Sequence, residues 1–190
     1  MVCLREIQVI FYQINMTDYQ KVGLSIYQDF ISDDEHIDLI NVICSELQRV
    51  SGKRYLNRNQ VIRYGDTSIC HNNYQNIDMP CQIDKISQRL VTNGLLKEKP
   101  NAININEYIK GDHIVPHVDR VASGPIVTIL SLGSVATMLF ENKKTKDKFE
   151  IILYPKIVIQ MRDIIRWDWN HSIYPVLDTR YSIVFRSKNQ

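Results

Sequence analysis

From Pro100 onward the apolar residues of this chain recur at every second position, in runs too short for helices. The runs fall at residues 102–109, 125–132, 136–141, 148–153, 157–161, 164–167 and 181–186. Turn signals separate them, and the lysine-rich segment from Glu141 to Lys148 reads as an exposed hairpin turn. A period of two sends alternate side chains to opposite faces of a strand. Several short strands of this kind, with turns between them, close into an antiparallel sandwich or barrel.

Before Pro100 the pattern is helical. Ser32 is a suitable N-cap, Glu35 completes a capping box, and Asp33 and Asp34 favour the positive helix end. Ile37, Ile40, Ile43, Cys44 and Leu47 then recur at three- and four-residue steps, so a helix is expected over 33–49, ended by Ser51-Gly52. A second helix opens at Pro80, carries Ile83, Ile86, Leu90 and Val91 on one side, and stops at Asn93-Gly94. Short strands are expected over 7–14 and 60–64. Helices followed by a β-core make an α+β arrangement.

At 190 residues the chain is sized for one domain, and its 44% hydrophobic content excludes wholesale disorder. Lys plus Arg number 23 against 21 Asp plus Glu, a net charge of +2 that permits a polyanionic partner without demanding one. Cys3, Cys44, Cys70 and Cys81 show no metal-binding or redox spacing, and the N-terminus lacks a secretory pattern. No run is long enough to span a membrane. Reduced thiols in a soluble intracellular protein, cytoplasmic or nuclear, are therefore expected.

The chemistry is concentrated in the last third. In a strand over 102–109, Asn104, Asn106 and Tyr108 share one face while Ile103, Ile105 and, after an irregularity, Ile109 serve the core. A polar row facing inward implies a polar cavity, because buried polar groups must be paired. His117-x-Asp119 follows, and His171 lies far downstream. Two imidazoles and one carboxylate can bind one face of an octahedral ion and leave three positions open, as in non-haem iron sites. His-x-Asp alone is a weak signal. It gains weight from Arg180 and Arg186, six residues apart and so on one face of a strand, with Ser182 and Val184 between them. Their Cα atoms would stand about 20 Å apart. Two long side chains leaning inward can close that gap on a short dicarboxylate, which the planar guanidinium binds through two hydrogen bonds.

With these residues in place the chain resembles the AlkB-like Fe(II)/2-oxoglutarate dioxygenases. The shared motifs are Asn106-Glu-Tyr108, His117-Val-Asp119, the run from Pro125 to Ser134, Arg166-Trp-Asp-Trp-Asn-His171 and Arg180-Tyr-Ser-Ile-Val-Phe-Arg186. The resemblance covers roughly 25–186. It implies a double-stranded β-helix, a jelly roll, with the N-terminal helices packed on one sheet. It further implies a single domain over 1–190, with a helical, substrate-facing extension over 1–100 and the metal and co-substrate core over 101–190. His117, Asp119 and His171 would bind Fe(II). Arg180 would pair with the distal carboxylate of 2-oxoglutarate, helped by Tyr108. Asn106 and Arg186 would contact its metal-bound end, and Ser182 belongs to the same co-substrate set. O2 is the other reactant, and the expected outcome is hydroxylation or oxidative demethylation.

The resemblance also bears on substrate. Base-repair members of the family typically carry an acidic residue two positions after the metal-binding Asp, where it accepts from an exocyclic amine. This chain has Val121 there, preceded by Arg120. Its motifs look more like the branch that modifies tRNA wobble uridines, so a nucleic-acid substrate is expected, RNA favoured over DNA. Members of that branch also carry an RNA-recognition module and a methyltransferase domain. Neither fits here, so an accessory protein would have to supply them; the chain itself is expected to be a monomer.

Arg63-Tyr64-Gly65 resembles a segment that borders the substrate cleft. Tyr64 could stack on a base or simply pack in the core, two readings of equal weight. Arg63 closes a loose basic stretch with Arg49, Lys53, Arg54 and Arg58, either a phosphate track or a solvated face. Trp169 is expected to shield the site. The substrate set is thus Arg63, Tyr64, Arg120 and Trp169. Two alternatives stand beside it: a protein or small-molecule hydroxylase on the same scaffold, and a non-catalytic module with a vestigial metal site.

Overall fold

The computed structural model describes residues 20–49, 60–66 and 78–187. The strand expected over 7–14, with Lys53, Arg54 and Arg58, lies outside the described residues. Among the described residues, two antiparallel sheets face one another. The larger has six strands, in the order β1 (Leu24–Tyr27), β8 (Val158–Met161), β5 (Val127–Gly133), β10 (Arg180–Arg186), β3 (Ala102–Tyr108) and β2 (Gln60–Gly65). The smaller has four: β4 (Ile114–His117), β9 (Trp169–Ile173), β6 (Ala136–Asn142) and β7 (Lys148–Leu153). This is the jelly-roll arrangement. Among the described residues no helix is long and apolar enough to cross a membrane.

Helices α1 (Asp33–Arg49) and α2 (Cys81–Thr92) cover the outer face of the large sheet. The capping box of α1 is formed: Glu35 N–H donates to Ser32 Oγ at 3.2 Å, and Ser32 N–H donates to Glu35 Oε2 at 3.0 Å. Leu39 and Ile43 of α1 pack with Ile83, Ile86 and Leu90 of α2 onto Ile103, Ile105, Tyr181, Ile183 and Phe185. Arg89 grips the Glu35 carboxylate with both Nη groups and so ties the helices together. Ile37 stands outside the buried stripe and is exposed, because Leu39 occupies the core-facing position.

The inner faces of the two sheets form a second core, built from Val127, Ile129 and Val184 against Met138, Phe140, Trp169 and Ile173. Gly133 ends β5 with φ +75, and a Cβ there would lie 2.9 Å from the Thr179 carbonyl oxygen, so the turn into β6 requires glycine.

Three expectations are corrected. The run at 164–167 belongs to a short helix, α3 (Asp163–Asp168), and the strand is the next segment, β9. Ile165 and Arg166 are consecutive and both buried while Ile164 is exposed, a pattern that strand alternation forbids. Ile109 follows the end of β3 and is exposed rather than in the core. Three short strands were not expected: β1, β4, which contains Pro116, and β9.

Candidate metal centre

The strand register builds the site. Asn106 and Tyr108 of β3 stand directly opposite Ser182 and Arg180 of β10, and Ser182 also stands opposite Ser131 of β5. Alternation directs Arg180, Ser182, Val184 and Arg186 inward, while Tyr181, Ile183 and Phe185 face the helices. Asn106 Nδ2 donates to Ser182 Oγ at 3.1 Å. The Arg180 guanidinium lies 4.9 Å from the centre of the Tyr108 ring. Both residues are fully buried; burial draws the arginine pKa down and pushes the tyrosine pKa up.

The smaller sheet supplies the histidines. His117 of β4 and His171 of β9 are register partners, with ring centres 4.4 Å apart. Asp119 lies two residues beyond the end of β4. Ligand atoms of His117, Asp119 and His171 all lie within 4.8 Å of one another. His117 Nδ1 lies 2.9 Å from the Val115 carbonyl oxygen, so it carries the proton and donates. With Nδ1 committed to that carbonyl, Nε2, which faces Asp119 at 3.7 Å, is the nitrogen left to bind a metal once it gives up its proton. Burial lowers the His171 pKa to about 4, so this imidazole is neutral at physiological pH, the state a metal ligand needs. Burial, the largest single influence, pushes the Asp119 carboxyl upward, but the Arg186 guanidinium and the two histidines together outweigh it and hold it well below the usual range. Arg186 Nη2 donates to Asp119 Oδ1 at 3.0 Å.

Two cavities meet here. The inner one, about 70 Å³, is lined by the three potential ligands together with Asn106, Tyr108, Arg180, Ser182 and Arg186. The outer one, about 370 Å³, opens past His117 and Asp119 and is lined by Val61, Arg63, Asn104, Val118, Arg120 and Ser123. Every residue expected to hold metal or co-substrate is therefore in one place.

The substrate set divides. Arg63 and Arg120 line the outer cavity. Tyr64 does not: it is buried on the helix side of β2, with its hydroxyl donating to Glu46 Oε2 at 2.6 Å. Adjacent residues of one strand face opposite ways, so placing Arg63 toward the cavity turns Tyr64 away. Trp169 is a core residue with its ring tilted against Phe149, ring centres 5.2 Å apart, and lines neither cavity.

A model of the 2OG-Fe(II) oxygenase superfamily matches residues 23–186. The chain belongs to this superfamily. The L905 protein of Acanthamoeba polyphaga mimivirus is 29% identical over 87% of this chain and 84% of its own length. The tRNA (carboxymethyluridine(34)-5-O)-methyltransferase of Xenopus tropicalis is 28% identical over 80% of this chain, and the corresponding mouse protein 25%. This chain spans only 25% and 24% of the length of those two relatives. Among solved structures, OsALKBH1 superposes with a TM-score of 0.64 at 19% identity, covering 87% of this chain and 98% of that one. A Pseudomonas putida prolyl-4-hydroxylase gives 0.60 at 12%, covering 91% and 97%. These likenesses agree with the AlkB-like motifs read from the sequence and with the jelly-roll fold.

Oxygenases of this superfamily require Fe(II), 2-oxoglutarate and O2, which together supply the oxidation of a C–H bond. The residues present fit that requirement. The donor set is two imidazoles and a carboxylate, which suits divalent iron. Arg180 is 1% exposed, and its Nε and Nη1 have no hydrogen-bond partner among the described residues. A buried cation in that condition is costly unless an acidic ligand completes it.

Sequence reasoning missed Val61, Val118 and Ser123 of the outer cavity, and it missed a residue that braces the site. Arg166, 2% exposed, reaches from α3 to the loop that carries Asp119. It stood inside a recognised motif, but its partners are main-chain carbonyls more than 40 residues away, which no side-chain pattern encodes.

Proposed function

We propose that this chain oxidises a nucleic-acid base by hydroxylation or demethylation, RNA favoured, with His117, Asp119 and His171 holding the iron. Arg180, supported by Tyr108, binds the far carboxylate of 2-oxoglutarate. Asn106, Ser182 and Arg186 line the end nearer the metal. Residues 101–190 form the metal and co-substrate core. The 1–100 extension adds substrate contacts through β2.

The observation that carries the nucleic-acid reading is the lining of the outer cavity. Its charged wall groups besides Asp119 are cationic, Arg63 and Arg120 with Arg186 deeper in, and Asn104 and Ser123 add polar edges. Arg63 Nε is buried and has no hydrogen-bond partner among the described residues. A wall rich in donors suits a base edge rich in carbonyl acceptors, flanked by phosphates. Val121, two residues after Asp119, is 80% exposed and cannot accept from an exocyclic amine. Uracil-type bases meet both conditions better than adenine or cytosine. The relatives whose names specify a modified tRNA uridine point the same way.

The test is 2-oxoglutarate turnover by the iron-loaded chain with tRNA, with methylated single-stranded DNA, and with neither. Stimulation by tRNA above DNA supports the reading. Turnover indifferent to both moves the substrate to a protein or small molecule.

A further inference from the structure

Arg166 makes three hydrogen bonds, all to main-chain carbonyls of one loop. Nε donates to Gly124 O at 3.1 Å, Nη1 to Asp119 O at 3.0 Å, and Nη2 to Arg120 O at 2.7 Å. The guanidinium also lies 4.2 Å from the centre of the Trp167 ring. A buried cation committed to carbonyls is unusual, because a neutral side chain would avoid the cost of desolvation. What it offers is geometry: a rigid planar fork fixes three acceptors at once.

The loop needs such fixing. β4 is a four-residue strand at the edge of its sheet, and its register with β9 is already irregular between Ile114 and His117. The chain then leaves the sheet. From 118 to 124 its internal bonds are two short turns, Ser123 N–H to Arg120 O and Gly124 N–H to Val121 O. Asp119 and three residues of the outer cavity, Val118, Arg120 and Ser123, all sit on this stretch. Arg166 lies five residues before His171. Its own segment is anchored where Lys143 N–H donates to Asp168 O at 2.9 Å and Lys143 Nζ to Trp167 O at 2.7 Å.

We infer that Arg166 is a positioning residue that locks the Asp119 loop to the His171 segment, and so sets both the metal-ligand geometry and the rim of the outer cavity. The inference rests on the reading of His117, Asp119 and His171 as the metal site.

The test uses the full chain and Arg166→Met and Arg166→Lys variants. Mn(II) binding is titrated without co-substrate, and amide hydrogen exchange is followed in the metal-free protein. Arg166→Met is expected to weaken Mn(II) by roughly 10- to 100-fold, the usual effect of losing an outer-shell partner. Amides of 119–124 should exchange at least about tenfold faster while those of β3 and β10 keep their protection, a local signature that general destabilisation does not give. Arg166→Lys, with a compact point charge in place of the fork, should fall between. A folded Arg166→Met protein with native Mn(II) affinity and native loop exchange overturns the inference but leaves the metal site intact. Failure of both variants to fold also overturns it, making Arg166 a residue of general stability. A native chain that binds no Mn(II) overturns the metal site, and this inference with it.

Discussion

Arg186 Nη2 stands 3.0 Å from Asp119 Oδ1, linking the last residue of β10 to the carboxylate just beyond β4. The pair joins the two sheets, and both side chains are largely buried. Replacing Arg186 with Met would leave the carboxylate desolvated without its main counter-charge. Its proton affinity would rise, and protons would compete with metal. Mn(II) affinity is expected to fall by about 10- to 100-fold, read by calorimetric titration at constant pH.

Arg180 makes the opposite prediction for stability. Its buried guanidinium, with Nε and Nη1 lacking hydrogen-bond partners among the described residues and no carboxylate against it, is a burden on the metal-free protein. Arg180→Met should leave the melting temperature unchanged or raise it, since an unpaired cation is exchanged for an apolar side chain. Binding of 2-oxoglutarate should weaken by at least about 100-fold, the order expected for a lost two-point charged contact. Loss of stability together with unchanged co-substrate binding would place Arg180 outside the co-substrate site.

The His36 imidazole accepts the Gly133 N–H through Nε2 at 2.9 Å, which pins α1 to the end of β5. Burial, reinforced by Lys156 and opposed by Asp33, draws the His36 pKa down. The neutral form is the one the fold selects. Its contribution to stability is present above the unfolded value near 6.5 and is lost as pH falls through the lower folded value. Denaturant midpoints at pH 7 and pH 5 should differ less in His36→Gln, whose side-chain oxygen still accepts the hydrogen bond but does not titrate.

Glu35 closes the α1 capping box and receives Arg89 from α2. The Arg89 hydrogen bonds, with Ser32 adding to them, hold its pKa at about 2. That stability is present above the unfolded value of 4.5 and is lost as pH falls toward 2. The pair is partly solvent-exposed, which limits its worth to about 1 kcal/mol. Ser32→Ala should cost a similar amount, about 1 kcal/mol, measurable by urea denaturation at neutral pH.

Much of this was legible in the residues because it depends on local rules. The Ser32–Glu35 capping box gave the start of α1, and the alternation after Pro100 gave the long strands. His117-x-Asp119, His171 and the even spacing of Arg180 and Arg186 gave the metal and co-substrate rows. What escaped depends on contacts distant in sequence. Alternation in β2 sets Arg63 and Tyr64 on opposite faces but does not tell which one faces the cavity; packing on α1 decides it. Trp169 looked like a shield because it neighbours His171, yet Phe149 draws it into the core. β4 and β9 are too short, and β4 too irregular, to show a period. The work of Arg166 is written in carbonyl positions.

The most direct measurement is succinate formation by Fe(II)-loaded protein supplied with 2-oxoglutarate and O2, with and without tRNA, using Asp119→Ala as the control. Succinate that depends on Asp119 and increases with tRNA is the expected result. Absence of succinate from a folded, iron-loaded preparation that also fails to bind 2-oxoglutarate would contradict the catalytic reading of the site.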